Sequence, residues 1–269
     1  MAISLSNLKR TTALTPTIDL LYGPHGIGKT SFAIGYPDPV FVQTEKGEGK
    51  LELNTFGVLK SFSDVMGALE ALYKEDHGFR TVVLDSASWL EPLIWDQVCK
   101  DNNWASIETP GFGKGYVEAK KVWRLVFDGL SMLRDDRQMG VVILAHADIR
   151  EVKHPEVEAF DRFQPKLHKD ATATIQEYAD NVWHMNRRVN IVKDNPNDKN
   201  SRVRGTSGDT RILWTAERAG HLAKNRFSMP SQIILPDATD NPGAMFATVA
   251  QYLPYYKAMM EGATAQKTA

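Results

Sequence analysis

The sequence is poor in cysteine, lacks long apolar runs and carries no excess of either charge. Its 269 residues include a single cysteine, Cys99, which excludes a disulfide framework within the chain and predicts a reducing, cytoplasmic setting. No stretch approaches the roughly 20 apolar residues of a membrane helix, and no signal-peptide pattern opens the chain. We therefore expect no membrane contact.

The formal net charge is −1, so the chain lacks the global basic field of a protein that coats nucleic acid. Any nucleic-acid contact must then be local. With 42% hydrophobic residues, the chain can bury one substantial core, and we expect one main domain. Its expected extent is residues 18–236. Residues 1–17 form a candidate contact to a neighbouring subunit, and residues 237–269 are expected to hold a helix and a disordered tail.

Short apolar runs alternate with helical periodicity through the first half of the chain. The runs predict buried strands, and the periodicity predicts amphipathic helices between them. The strands are expected at Ile18–Tyr22, Pro39–Gln43, Thr81–Leu84 and Gly140–Leu144, and the helices at about Ser63–Lys74, Leu90–Lys100 and Val117–Leu133. This alternation predicts an α/β fold with a mostly parallel central sheet and helices on both faces. Between Val182 and Leu235, shorter strand-like runs predict additional antiparallel strands.

A glycine-rich loop follows the first predicted strand and precedes helical sequence. Its eight residues, 23–30, fit the G-x-x-x-x-G-K-[ST] pattern at every position. In such a loop, glycines let backbone N–H groups face a phosphate, the lysine reaches the β and γ oxygens, and the hydroxyl binds Mg²⁺. The alternative is an ordinary glycine turn. The expected ATP contacts are Gly23, Pro24, His25, Gly26, Ile27, Gly28, Lys29, Thr30 and Ser31.

Asp85 closes the third predicted strand, 55 residues after Thr30. A carboxylate at that point can hold a Mg²⁺-bound water beside the γ-phosphate. We therefore expect Thr30 and Asp85 to bind Mg²⁺, the latter through water. The alternative for Asp85 is the N-cap of the following helix, a role that Ser86 can share.

The order of these motifs resembles the ATPase core of the RecA-like family, which includes the DnaB-type hexameric helicases. The resemblance extends from about Asp19 to Leu235 and is closest to the RecA-like recombination and single-strand annealing ATPases of bacteriophages. Three further stretches resemble family elements: Val40–Glu45, Val141–His146 and Leu222–Phe227. The resemblance implies a RecA-like P-loop NTPase core, and it implies the bacterial host cytoplasm as the location of a phage-encoded member.

The resemblance also implies catalytic roles at these stretches. Glu45, at the end of the second strand, is the candidate base that polarises the attacking water; the alternative is a solvated charge. His146 lies where RecA has a glutamine that senses the γ-phosphate, and the alternative is a structural histidine. Lys224 and Arg226 are similar to cations that RecA-like subunits insert into a neighbour's ATP site, a trans arrangement that makes hydrolysis depend on assembly. The alternative is that Lys224 and Arg226 are solvated surface charges.

Two stretches fall where RecA-like proteins carry their DNA-binding loops. The first, from Glu108 to Tyr116, interleaves glycines with aromatics and a lysine, as in loops that stack bases. The second, Ala147–Lys169, is expected to be long and irregular. A third basic stretch, from Arg187 to Arg211, is either a DNA face or a solvated hairpin. The candidate DNA-binding residues are Phe112, Lys114, Tyr116, Arg150, Lys153, Arg162 and Lys166.

The first functional hypothesis is a phage-type RecA-like ATPase that binds single-stranded DNA and assists recombination by annealing or strand pairing. Its expected ligands and partners are ATP, Mg²⁺, single-stranded DNA and further copies of the chain in a ring or filament, and a single-strand binding protein is a candidate partner. A ring helicase motor is the alternative, although only about 17 residues precede the first strand. A small-molecule kinase shares the phosphate loop, and a nucleotide-switched binding module with little turnover is the remaining hypothesis.

Overall fold

The computed structural model describes residues 14–47, 49–193, 203–237, 239 and 241–267. Strands and helices alternate through most of this range. The elements are β1 (Ile18–Gly23), α1 (Lys29–Ala33), β2 (Pro39–Gln43), β3 (Asn54–Val58), α2 (Phe62–Lys74), β4 (Thr81–Asp85), α3 (Ala87–Asn102), α4 (Lys114–Arg137), β5 (Gly140–Val152), β6 (Phe160–Pro165), α5 (Lys169–Tyr178), β7 (Asn181–Lys193), β8 (Val203–Trp214), β9 (Gln232–Leu235), α6 (Ala244–Ala250) and α7 (Pro254–Lys267). None of the helices in the described part is long and apolar enough to cross a membrane.

The strands form one mixed sheet in the order β3-β2-β4-β5-β1-β7-β8-β9, and β6 pairs with β5 outside this path. Every pair from β3 to β7 is parallel, whereas β7 with β8 and β8 with β9 are antiparallel. Strand β5 lies between β1 and β4, with Gly23 opposite His146. Because the carboxyl ends of parallel strands lie at one edge, the last residues of β1, β2, β4 and the parallel part of β5 are neighbours there.

Alternate residues of the buried strands face two separate cores, as the period of a strand requires. Leu20 and Tyr22 of β1 face a core formed with α2, α3, α4 and α5, which contains Trp123 and Phe127. Leu21 faces the opposite core, formed with α1, α6 and α7. The sheet is therefore covered by helices on both faces, and the predicted α/β class with a mostly parallel sheet and C-terminal antiparallel strands is confirmed.

A local signal accounts for the start of α2. The Ser61 side chain accepts a hydrogen bond from the Asp64 amide at 3.1 Å and caps α2 at its N-terminus. Helix α1 after the glycine loop is only five residues long. Beyond it, the Tyr36 ring stacks on the Phe246 ring of α6, with ring centroids 3.6 Å apart. The segment after α1 thereby packs against α6.

The structure differs from the sequence-based expectations in three places. The stretch Ala147–Lys169 is not irregular: β5 continues to Val152 and forms an antiparallel hairpin with β6, with Val152 opposite Phe160. β-Branched and aromatic residues favour this pairing. The predicted short C-terminal strands are instead long, because β7 and β8 extend over 13 and 12 residues, and β7 joins the parallel part beside β1. Helix α7 continues to Lys267, although the small and polar residues after Gly262 predict a disordered tail.

Candidate active site

The glycine loop adopts a conformation that other residues could not take at two positions. A side chain at Gly23 would approach the Met185 carbonyl oxygen to 2.3 Å, and Gly28 has φ of +105°. The ammonium of Lys29 is almost fully buried and donates to the Gly23 and Pro24 carbonyl oxygens, both at 3.1 Å. Burial lowers the pKa of Lys29, and the charges of Asp85 and Glu45 oppose this shift. The loop thus holds a cation at the carboxyl edge of β1.

The side chains of Thr30 and Asp85, the two residues expected to bind Mg²⁺, are in contact at the carboxyl edge of the sheet. The Thr30 hydroxyl donates to Asp85 Oδ2 at 3.0 Å. Burial raises the pKa of Asp85 to about 6, although the hydrogen bond from Thr30 opposes the shift. A hydroxyl and a carboxylate together form an oxygen donor set of the kind that Mg²⁺ prefers, so these residues fit the ion. The N-cap position of α3 is held by Ser86, not by Asp85.

Glu45 accepts hydrogen bonds at one carboxylate oxygen, Oε1. The Ser86 hydroxyl donates to it at 2.5 Å, and His146 Nε2 lies 2.9 Å from it. Burial opposes ionisation of Glu45, but the hydrogen bonds from His146 and Ser86 outweigh it and lower its pKa. Glu45 is therefore held in its ionised form. This role of Ser86 was not predicted, although its position directly after the carboxylate at the end of β4 was a usable signal.

His146 connects Glu45 with the phosphate loop. Its Nδ1 lies 3.4 Å from Lys29 Nζ, and its ring stacks on the His25 ring with centroids 3.7 Å apart. An ammonium can only donate, so Nδ1 must accept and the ring proton lies on Nε2, which donates to Glu45. His25, Lys29, Thr30, Glu45, Asp85 and His146 line one cavity of ≈ 300 Å³.

The backbone amide and the backbone carbonyl of His146 each form a hydrogen bond with a residue outside β5. Its amide donates to the Ser88 hydroxyl at 3.0 Å, and its carbonyl accepts from the Lys166 amide at 2.8 Å. Ser88 belongs to the first turn of α3, and Lys166 follows directly after β6. Ser88 was not predictable, because a serine in a helix carries no signal of a contact 58 residues away.

Lys224 and Arg226 lie far from the phosphate loop of their own chain. The Lys224 ammonium donates to the carbonyl oxygens of Gln176 and Ala179, both at 2.7 Å, at the end of α5. Arg226 pairs with Asp180 at 2.8 Å. Asp180 immediately precedes β7 at the edge of the sheet opposite the loop. The structure thus gives both cations partners within the chain and does not bring them to its own cavity.

The candidate DNA-binding residues divide into two groups. Tyr116 lies in the first turn of α4 and stacks on His168 at 4.0 Å with nearly parallel rings, so it is not part of a free loop. Arg150 and Lys166 line a cleft of ≈ 630 Å³ next to His168. The two predicted stretches therefore meet at one surface.

The other candidates lie apart from this cleft. The Phe112 side chain is fully exposed, at 102% of its reference area, and Lys114 begins α4. Arg162, on β6, pairs with Glu217 at 2.6 Å. Lys153 is exposed after β5. Much of the third basic stretch, residues 194–202, lies outside the described residues.

A mostly parallel α/β sheet with a phosphate loop after its first strand and a carboxylate at the end of a non-adjacent strand defines a P-loop nucleotide-binding domain. The chain belongs to the AAA domain family, whose model matches residues 16–227, and it is thus a P-loop ATPase-type protein. The crystal structure of the RadB recombinase is similar with a TM-score of 0.46 and 12% identity, covering 82% of this chain and 87% of that chain. No curated protein matches the sequence.

Proposed function

We propose that this protein is a RecA-like ATPase of the phage type, which binds single-stranded DNA and assists recombination by annealing or strand pairing. The observation that carries the proposal is the single cavity in which Lys29, Thr30 and Asp85 face Glu45 and His146. A phosphate loop, a Mg²⁺-binding pair and an ionised carboxylate are the groups that hydrolysis of a γ-phosphate requires.

In the proposed reaction, ATP binds with its phosphates along the loop backbone, and the Lys29 ammonium turns from the Gly23 and Pro24 carbonyls to the β and γ oxygens. Glu45 accepts a proton from water while the water oxygen attacks the γ-phosphorus. The bond from the γ-phosphorus to the bridging oxygen breaks, and its electron pair leaves with ADP. Thr30 and Asp85 would hold Mg²⁺, which when bound neutralises charge on the β- and γ-phosphates.

His146 is proposed to report the γ-phosphate to the DNA-binding surface. Its side chain contacts both Lys29 and Glu45, and its carbonyl is bonded to the Lys166 amide. A phosphate that draws Lys29 away changes the hydrogen bonds of the His146 ring. The same residue is continuous with the β5–β6 hairpin, so a displacement of His146 reaches this hairpin directly. This connection supports DNA-stimulated turnover.

Single-stranded DNA is proposed to bind where the two predicted stretches meet. Arg150 and Lys166 supply cations at the cleft, and Trp95 and Tyr116 supply aromatic rings 5.5 Å apart beside it. Basic residues that follow the backbone and rings that stack on bases are the usual combination for unpaired strands. The exposed ring of Phe112 does not line the cleft and is proposed as a further stacking surface in the segment before α4.

The active form is proposed to be a homo-oligomer, a ring or a filament, in which Lys224 and Arg226 reach the cavity of a neighbouring subunit. Their location at the opposite edge of the sheet from the loop is what a head-to-tail contact between subunits would need. In the single chain they are held by α5 and by Asp180, so such a contact must compete with these partners.

The proposal is tested by measuring ATP turnover of the purified protein with and without single-stranded DNA, alongside Lys29→Ala. We expect ADP and phosphate as products, stimulation by DNA, and no turnover in the variant. A phosphorylated small molecule would instead identify a kinase, duplex unwinding a helicase, and nucleotide binding without turnover a switched binding module. Wild-type turnover in Lys29→Ala would contradict the ATPase assignment itself.

A further inference from the structure

A second concave surface lies between the β5–β6 hairpin and the β7–β8 hairpin. It has a volume of ≈ 540 Å³, and its walls come from Phe163 on β6, Trp214 on β8 and Asn186 and Arg187 on β7. It shares no lining residue with the phosphate cavity or with the cleft at Arg150 and Lys166. We call it the inter-hairpin cleft.

The floor of the inter-hairpin cleft is aromatic and uncharged. His184 and His221 are almost fully buried and stack with centroids 5.7 Å apart. Phe163 stacks on His184 at 5.0 Å, and Trp214 contacts His221 at 4.7 Å. Burial lowers the pKa of both histidines, that of His184 to about 3. The half-buried Phe163 and Trp214 thus add aromatic surface to a floor whose histidines carry no charge.

The rim of the cleft is positively charged. Arg187 and Arg188 project from β7, and the Arg218 guanidinium lies 5.1 Å from the Trp214 ring centroid. Asp209 pairs with Arg187 at 3.4 Å and is fully exposed, so water screens this pair strongly. Among the described residues, no carboxylate pairs with Arg188. The rim therefore attracts an anion, whereas the floor suits an uncharged ring.

We propose that the inter-hairpin cleft binds an unpaired base of single-stranded DNA, with the flanking phosphates on Arg187 and Arg188. This inference rests on the proposed DNA binding and extends it to a second surface. The side chains of Asn186 and Gln232 lie in the cleft wall and offer hydrogen-bond donors and acceptors to a base edge. A nucleotide within a strand combines the flat face of its base with the negative charge of its phosphates. The base face matches the neutral aromatic floor of the cleft, and the phosphates match its cationic rim.

The first test removes positive charge from the rim and is expected to leave the fold intact. The double variant Arg187→Ala/Arg188→Ala changes the half-buried Arg187 and the exposed Arg188. Its affinity for a fluorescein-labelled oligothymidylate is measured by anisotropy over a range of salt. Loss of two phosphate contacts should weaken binding and reduce the magnitude of the salt slope by about 1.4 for a single strand. Arg124→Ala/Lys100→Ala removes the same charge from exposed helix positions outside the cleft, and it should bind as the wild type does. DNA-independent ATP turnover should be unchanged in both.

The aromatic floor is tested by Trp214→Leu and by crosslinking. With the fold confirmed by circular dichroism, loss of one stacked base should weaken binding by roughly 5- to 150-fold. An oligonucleotide that carries 5-iodouracil should crosslink to Trp214 or Phe163 on irradiation. Wild-type affinity and salt slope in the arginine double variant, together with crosslinks only elsewhere, would overturn the inference. If Arg150→Ala/Lys166→Ala still weakens binding, the proposed function stands; if the wild type binds no single strand, both fail.

Discussion

The imidazole Nε2 of His146 lies 2.9 Å from Oε1 of Glu45, and its Nδ1 lies 3.4 Å from the Lys29 ammonium. One ring thus separates the proposed base from the phosphate-binding cation. Movement of either group toward ATP removes one of the two hydrogen bonds of the His146 ring.

Replacement of Glu45 by glutamine should separate nucleotide binding from hydrolysis. Glu45→Gln keeps the shape of the side chain and cannot accept a proton, so turnover should fall by about 10²- to 10⁴-fold, the contribution of a general base. ATP affinity, measured with a fluorescent analogue, should stay close to that of the wild type. Glu52→Gln, which changes an exposed carboxylate, is the matched control. If turnover of Glu45→Gln stays within a few-fold of the wild type, another group must activate the attacking water.

His146 should control the pH dependence of turnover. Burial raises the pKa of Glu45, and the hydrogen bonds from His146 and Ser86 lower it by more. In His146→Ala one lowering contribution is lost, so the pKa rises, the base is protonated at higher pH, and the acid limb of the turnover–pH profile moves upward. The exposed His154→Ala should leave the limb in place. An unchanged acid limb in His146→Ala would show that Glu45 is not the titrating base.

Phe112 should contribute to DNA binding without contributing to stability. Its ring is fully exposed at the tip before α4, so Phe112→Ala should cost about 1–3 kcal/mol of single-strand affinity for a stacked base and leave the free energy of unfolding unchanged. Tyr116→Ala should lower both, because it also removes the stack on His168. Val117→Ala, a nearby exposed apolar residue, serves as the control. Equal DNA affinity in Phe112→Ala and the wild type would exclude this ring as a platform.

Arg226 should act in a neighbouring subunit. Mixing Arg226→Ala, which has an intact phosphate loop, with Lys29→Ala, which has intact trans cations, should restore activity that neither variant has alone. An arginine finger contributes about 10³–10⁵ in rate, so a minority of composite sites is detectable. Loss of the Arg226–Asp180 pair should cost about 1 kcal/mol of stability, because the Arg226 side chain is half exposed and the buried Asp180 keeps Arg134 at 3.6 Å. Co-assembled mixtures no more active than their parents would leave Arg226 as a structural partner of Asp180.

Asp19 should make the protein less stable as pH rises. It is fully buried on β1 and accepts hydrogen bonds from Thr17, Tyr36 and Asn181, yet burial raises its pKa to about 7 from the ordinary 3.8. Between these values the folded state holds a proton that the unfolded state releases. The free energy of unfolding should therefore fall with rising pH, by at most about 1.4 kcal/mol per pH unit.

The Asp19→Asn variant should lose this contribution. Its side chain cannot titrate, and the hydroxyls of Thr17 and Tyr36 can rotate to accept from the new amide. Denaturant unfolding at several pH values should give a smaller slope than the wild type below pH 7. The exposed Asp76→Asn is the control. Equal slopes in Asp19→Asn and the wild type would indicate that Asp19 is ionised in the folded protein throughout.

The sequence alone was sufficient for the phosphate loop and for the sheet strands around it. Strand β2 occupies the predicted residues, and β1 and β4 each extend one residue further. These elements were predictable because buried parallel strands are continuous apolar runs, and because the loop chemistry requires glycine, lysine and threonine at fixed spacing within eight consecutive residues. Such signals are local and survive without knowledge of the fold.

Only the tertiary structure decided which side chains meet. The Ser86–Glu45 hydrogen bond joins residues 41 apart, and the His146–Lys29 contact joins residues 117 apart. The first contact depends on β2 lying beside β4, and the second depends on β5 lying beside β1. The β5–β6 hairpin was missed because charged residues interrupt its apolar positions, and because such strands are stabilised mainly by pairing with a partner strand. The stack of Tyr116 on His168 likewise arises from packing between α4 and the start of α5, which no local pattern in either segment encodes.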